Sequence, residues 1–207
     1  MSKELTKEEL EDRVQELEQK IRVLEEDLIH DSLTGLKTRK YFTEEAGKYY
    51  DSITDEYTHK RREWFGLKHI GIIFFDIDHF KKINDTHGHA VGDAVLQAVA
   101  KTIKSDIRHG DIAARWGGEE MVVALLGMDE RGTVKKAESI RNDIEQMSFN
   151  NLPDIHVTIS AGVAVFEVGT AFDEVIKRAD KALYEAKETG RNKVVTYSEN
   201  FLKSANL

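Results

Sequence analysis

Two short segments of this chain concentrate the residue types that phosphoryl-transfer chemistry uses. An apolar run, Ile70 to Phe75 (IGIIFF), ends in Asp76-Ile77-Asp78. Residues two apart on a strand share a face, so both carboxylates reach the same side of a strand end, where clustered charge can hold a divalent cation. Asp78 has a simpler reading as the N-cap of a helix beginning at His79; Asp76 does not. The second segment is Gly117-Gly118-Glu119-Glu120, between the strand-like runs Ile112–Trp116 and Met121–Leu126. Its glycines let backbone approach a ligand closely, and its glutamates add two carboxylates at strand-edge positions. Neighbouring antiparallel strands lie about 4.8 Å apart, so Asp76 and Glu119 can share one Mg²⁺ if the two strands pair at this level. That constellation suits metal-assisted phosphoryl transfer. The chain has no cysteine. Disulfides, thiolate zinc sites and cysteine nucleophiles are therefore excluded, and any metal must sit on oxygen or imidazole. Two alternatives stay open for the segment 86–93: a zinc site from His87, His89 and Asp93, or Asp93 as the cap of a helix starting near Ala94.

These groups need elements to hold them. The chain has 207 residues, 40% hydrophobic and 8% aromatic, with a mean hydropathy of -0.48. That is enough for one core plus an appendage, and it argues against a disordered chain. No apolar run approaches the roughly 18 to 20 residues a membrane span needs, and the charged N-terminus is no signal peptide. The expectation is a soluble, cytoplasmic piece with no membrane contact. The net charge of -8 argues against a nucleic-acid partner. Residues 1–30 hold ten acids and five bases, so they carry -5 and the rest of the chain only -3. A nearly neutral body can still bind a phosphate-bearing molecule where a few cations focus at one site.

The first thirty residues lack glycine and proline and place Val14, Ile21 and Leu28 at heptad a and Leu10, Leu17 and Leu24 at d. β-Branched a with leucine d favours parallel dimers, and Arg13 and Lys20 at g would face Glu18 and Glu25 at e of a partner helix. The expectation is a parallel dimeric coiled coil over 1–30, read as a linker from an upstream sensor domain; the plainer reading is an amphipathic helix packed on its own domain. The seam should end near Asp31, leaving one domain over 31–207. There the pattern predicts a helix from Lys40 to about Tyr57, a buried strand 70–75, a short helical turn, a helix with apolar residues at 91, 95, 98, 99, 103 and 107, the hairpin, a helix 130–147, a strand 156–166, a helix 172–188 capped by Gly190, and a strand 194–197. No element is assigned to the charged stretch 59–68. The order β-α-β-β-α-β with an extra helix and strand is an α+β, split βαβ arrangement, ferredoxin-like or palm-type, expected as an antiparallel sheet with helices on one face.

The segments DSLTGLKTRKYF (31–42), FDIDHFKKINDTHGHAVGD (75–93), RHGDIAARWGGEEM (108–121), VTISAGVA (157–164) and RADKALYEAKETGRN (178–192) together resemble the GGDEF domain of the diguanylate cyclase family. The resemblance implies condensation of two GTP into cyclic di-GMP with release of two pyrophosphates, with Mg²⁺, or Mn²⁺ in its place, as cofactor. By the same resemblance Asp76, the Ile77 carbonyl, Glu119 and Glu120 hold the metal, and Glu119 is the base for the 3′-hydroxyl, with Glu120 beside it. Asn84, His89 and Asp93 would contact the substrate, Asn84 and Asp93 reading guanine. A carboxylate accepts from guanine N1–H and the 2-amino group, a donor pair adenine lacks. Lys187, Arg191 and Lys81 would hold the phosphates. Arg108 and Asp111 match the RxxD inhibitory site for product. The helix that often completes that site with an arginine offers Lys135, Ser139 and Arg141, with serine best aligned, so weakened product inhibition is expected. Two departures stand out: Met121 replaces a phenylalanine, and Thr38 an asparagine. The rivals are a catalytically silent GGDEF module that binds GTP or cyclic di-GMP as a signalling effector, and a cyclase making a 3′,5′-cyclic mononucleotide.

Overall fold

The apolar seam at the N-terminus folds as α1 (Lys7–Ile29). Thr6 starts it with a reciprocal box, its hydroxyl accepting from the Glu9 amide while the Glu9 carboxylate accepts from the Thr6 amide. The helix stops where His30 turns extended, one residue before Asp31, as expected. The computed structural model describes residues 6–59, 69–149, 155–167 and 169–198; the unassigned stretch 60–68 and the end of the chain after 198 lie outside the described residues.

The remaining elements follow as β1 (Lys37–Thr38), α2 (Arg39–His59), β2 (Ile70–Ile77), α3 (Phe80–His87), α4 (His89–Asp106), β3 (Ile112–Arg115), β4 (Glu120–Leu126), α5 (Glu130–Glu145), β5 (Ile159–Val165), α6 (Phe172–Glu188) and β6 (Val194–Thr196). The six strands form one sheet in the order β1-β3-β4-β2-β5-β6. Its centre is antiparallel, β2 pairing with β4 and β5, and β3 with β4. Its edges are parallel, β1 on β3 and β5 beside β6. The α+β arrangement is as the sequence predicts, but the sheet is mixed.

The placement of the helices is a further correction. They cover both faces. Ile73, Phe75 and Ile77 of β2 pack with Val95, Val99 and Ile103 of α4 and Ile140 and Ile144 of α5. The alternate residues Ile70, Ile72 and Phe74 pack with Phe42 and Ile53 of α2 and Ile176 and Leu183 of α6. A strand buried at all eight positions requires this, because successive side chains point to opposite faces and each face must be shielded from water. The even-numbered face, under α2 and α6, carries Asp76 and Asp78 at its end. Met121 is buried on the other face among the α4 and α5 side chains, where a thioether fills the space of a ring.

Candidate active site

Asp76 arrives at its position because six apolar residues of β2 drive the strand through the core and leave its last turns at the sheet end. Across the ladder, Asp76 pairs with Glu120 on β4 and with Ser160 on β5. The two strands do pair at the level the sequence requires, but the residue opposite Asp76 is Glu120; Glu119 stands one position beyond, at the hairpin tip. The tip is closed by Trp116 and Gly117 amides donating to the Glu120 carbonyl at 2.8 and 3.3 Å. Trp116 anchors its root, edge-on to Phe74 at 5.1 Å and to Phe42 at 6.0 Å, with the Arg39 guanidinium 4.2 Å over its ring.

Only 5% of Asp76 is exposed. Burial pushes its carboxyl up to about 6, with Glu119 and Glu120 adding to the rise, while the Lys187 ammonium on α6, 2.7 Å from Oδ2, opposes it. Lys187 here plays the part of a small cation at a carboxylate with two more acids beside it. Among the described residues no three His, Asp or Glu side chains are grouped so as to hold a metal ion, neither His87, His89 and Asp93 nor, with Lys187 seated on Asp76, the set Asp76, Glu119 and Glu120. The donors at Asp76, buried, and at Glu119 and Glu120, both half-buried, are all carboxylate oxygens, the type a hard divalent cation such as Mg²⁺ takes. Ile77 ends β2 with its side chain in the core.

Asp78 caps nothing. His79 precedes α3 in a left-handed conformation, φ 56° and ψ 28°, with no side-chain cap. The Asp78 carboxylate instead accepts from the Thr158 and Ser160 hydroxyls at 2.8 and 2.7 Å and from the Asn192 amide at 3.0 Å. Asn84 lies on α3, and Gly92 lies on α4 so close to it that a Cβ there would stand 1.9 Å from Asn84 Oδ1. His89 opens α4 after Gly88, so Asp93 sits a turn inside that helix and is no cap. His89, Asp93 and Lys81 are exposed.

At the far end of α6 the chain reverses through Gly190 (φ 119°), Arg191 (φ 62°) and Asn192 (φ 46°), with the Arg191 amide donating to the Ala186 carbonyl. Left-handed conformations cost non-glycine residues roughly 1–2 kcal/mol each, so this turn is held by other contacts. The Asn192 side chain supplies them, donating to Glu145 Oε1 at 2.6 Å and accepting from Arg141 Nη1 at 2.7 Å. Arg141 is also bound by Glu138 and Glu145, each at 2.8 Å. It is therefore committed to this turn. Sequence reasoning missed the Asn192 network; the one local hint is an asparagine after Gly-Arg, a residue type that tolerates this backbone.

Arg108 is exposed beside a cavity of about 610 Å³ that Lys37, Tyr41, Lys104 and His109 also line. Asp111 is engaged by backbone, its carboxylate accepting from the Arg108 and Leu126 amides at 2.9 and 3.0 Å. A further bridge joins the site to the N-terminal junction. Arg115 grips Asp31 with both contacts at 3.2 Å and donates to the carbonyls of Gly117 and Gly118. Burial alone would raise the Asp31 carboxyl, but Thr34 and Arg115 outweigh it and hold it below its usual range.

An α+β domain with helices on both faces of one mixed sheet, and with acids from a buried strand and a Gly-Gly-Glu-Glu hairpin at one sheet end, is the architecture of a GGDEF domain. The sequence pattern of the family described as diguanylate cyclase, GGDEF domain, matches residues 28–193, and the chain belongs to that family. It is 42% identical over 178 residues to diguanylate cyclase A of Treponema denticola, covering 84% of this chain and 46% of that protein. It is 39% identical over 169 residues to diguanylate cyclase DgcM of Escherichia coli K12, covering 80% of this chain and 38% of that one. The chain thus spans less than half the length of these relatives. Among solved structures, the coiled coil and GGDEF domain of DgcB from Caulobacter crescentus in complex with c-di-GMP superposes with a TM-score of 0.78 at 30% identity, over 89% of this chain and 94% of that one. Among the described residues no helix is long and apolar enough to cross a membrane.

Proposed function

We propose that this chain is a diguanylate cyclase that joins two GTP into cyclic di-GMP, acting as a dimer whose domains face one another. The observation that carries the reading is the buried Asp76 carboxylate with Glu120 in register across the ladder and Glu119 at the adjoining tip. Asp76, Glu119, Glu120 and the Ile77 carbonyl would hold Mg²⁺ or Mn²⁺, which supplies neutralisation of the charge that develops on the phosphates. Glu119 accepts the proton of the 3′-hydroxyl that attacks the α-phosphorus of the opposite GTP, as pyrophosphate leaves in line. Asn84 and Asp93 read guanine, and His89 contacts the substrate. Lys187, Arg191 and Lys81 hold the β- and γ-phosphates. Lys187, now 2.7 Å from Asp76 Oδ2, would have to release that carboxylate to hold phosphate.

One domain offers one nucleotide site, so the reaction needs a second copy, and α1 supplies the means. Its seam residues Leu10, Val14, Leu17, Ile21 and Leu28 are each 44–60% exposed, and a parallel coiled coil would bury them. Cyclic di-GMP at Arg108, beside the cationic cavity, would serve as product inhibitor; with Asp111 held by backbone amides and Arg141 occupied elsewhere, the inhibition is expected to be weak. Incubation with GTP and Mg²⁺, with products identified by mass, tests the reading. Cyclic di-GMP and pyrophosphate are expected, and Glu119→Gln should cut the rate at least about 10²-fold while the fold survives. Binding without product would leave the silent effector module, and a 3′,5′-cyclic mononucleotide would overturn the dimeric chemistry.

A further inference from the structure

We propose that Asn192, anchored by Asp78 from below and by Arg141 and Glu145 from the side, is a positioning residue that sets Arg191 for the triphosphate. This inference rests on the assignment of Arg191 to the nucleotide phosphates. Three observations converge on it. Arg191 and Asn192 both adopt left-handed backbone (φ 62° and 46°) directly after Gly190, a run that a chain holds only when its surroundings over-determine it. The Asn192 amide donates to Asp78 Oδ2 at 3.0 Å, and its side-chain amide uses both ends, donating to Glu145 Oε1 and accepting from Arg141 Nη1. Asp78 is itself buried and locked by the Thr158 and Ser160 hydroxyls, so the anchor belongs to the rigid sheet end.

Asp78 follows β2 directly, two residues after Asp76, and Lys187 stands in the last turn of α6, four residues before Arg191 in the turn beyond the helix. The carboxylate that takes the metal and the cation that takes the phosphates are therefore referenced to the same strand end, one directly and one through Asn192. The geometry explains why Asp78 is not spent on capping α3. Two of its acceptor contacts, from Thr158 and Ser160, hold the carboxylate still, and the third, from the Asn192 amide, fixes the return of the chain. A guanidinium held in place before the ligand arrives loses less freedom on binding than one on a mobile turn.

The test is equilibrium binding of 3′-deoxy-GTP, which lacks the attacking hydroxyl, and of GMP, to the full chain and to Arg191→Ala, Asn192→Ala, Asn192→Gly and the double variant of Arg191→Ala with Asn192→Ala. Glycine adopts the left-handed turn freely, so Asn192→Gly removes the side-chain contacts alone and serves if the alanine variant folds poorly. Each single variant is expected to bind 3′-deoxy-GTP about tenfold more weakly with GMP unchanged within about twofold, and the double variant no more weakly than Arg191→Ala. Additive losses, equal loss of GMP, or wild-type affinity in Asn192→Gly would overturn the positioning role. A second readout needs no nucleotide: amide hydrogen exchange across Arg191–Lys193 should accelerate at least about tenfold in Asn192→Gly, and unchanged exchange refutes the clamp whatever the chain binds. Wild-type protein that shows the protected turn but binds no triphosphate would overturn the phosphate assignment instead, and the positioning role with it.

Discussion

At the scale of single residues, the site is governed by where charge is allowed to sit. Asp76 is buried with its carboxyl pushed up to about 6, above the ordinary carboxylate value. The ligand-free folded state therefore binds more protons than the unfolded chain between about pH 4 and 6. Stability should rise as pH falls through that window and level off above about 6, and Asp76→Asn should flatten the slope in denaturant titrations. The same proton competes with a cation. The Mg²⁺ concentration needed for half-maximal turnover should climb as pH drops below about 6, approaching tenfold per unit, and pH-independence would remove Asp76 from the metal site. Gly92 offers a different residue-level test. A Cβ there would overlap Asn84 Oδ1, the end of a side chain free to swing away. Gly92→Ala should leave the melting temperature within a few degrees yet raise KM for GTP several-fold, because it displaces Asn84, the residue proposed to read guanine.

At the scale of elements, two joints connect the N-terminal helix to the chemistry. The Thr38 hydroxyl donates to the Leu28 carbonyl at 2.7 Å and accepts from the Tyr41 amide at 3.3 Å, pinning the end of α1 to the start of α2. The residue that replaces the family's asparagine thus keeps a joining role. Arg115 ties Asp31 to the two glycine carbonyls of the hairpin, with both side chains about four-fifths buried. Removing one partner of such a pair strands the other without its counter-charge. Arg115→Ala should cost about 1–3 kcal/mol in chemical denaturation, and turnover should fall by more than the unfolded fraction accounts for. Wild-type turnover per folded molecule would show that the hairpin holds its shape without the junction.

At the scale of the whole molecule, the proposed reaction needs a second copy, and α1 carries the only long exposed apolar seam among the described residues. Within the chain Arg13 and Lys20 both reach Glu16 at 2.5 Å, contacts worth little on a solvated surface, so they leave the pairing with a partner helix open. Tethering two domains by a coil converts their encounter into an intramolecular event. Replacing Leu17 and Ile21 by lysine should make specific activity depend steeply on protein concentration while circular dichroism reports an intact domain. Constant specific activity on dilution would sever the coil from the rate. A twist or register change imposed on the coil from upstream would then move the two sites together or apart.

The local patterns were enough to read the elements that are long and periodic. Phe172 to Glu188 is a helix with its apolar stripe inward, and IGIIFF is a central strand ending in acids, because side-chain period and burial are set by neighbours in sequence. The same run already demanded helices on both faces, since a strand apolar at consecutive positions has no face to give to water; the one-face expectation overlooked that. What the sequence could not disclose are the relations between distant segments. β1 and β6, two and three residues long, are too short to carry a period and form only because an edge is there to pair with. The opposition of Asp76 to Glu120, the grip of Arg115 on Asp31 and the bond from Asn192 to Asp78 join residues 44, 84 and 114 positions apart. Register and packing alone bring such pairs together, and a one-residue slip of β4 would have put Glu119 or Met121 opposite Asp76. Residue types and their order along the chain thus declared the family; the tertiary structure decided which carboxylate faces which, and what holds Arg191 in its turn.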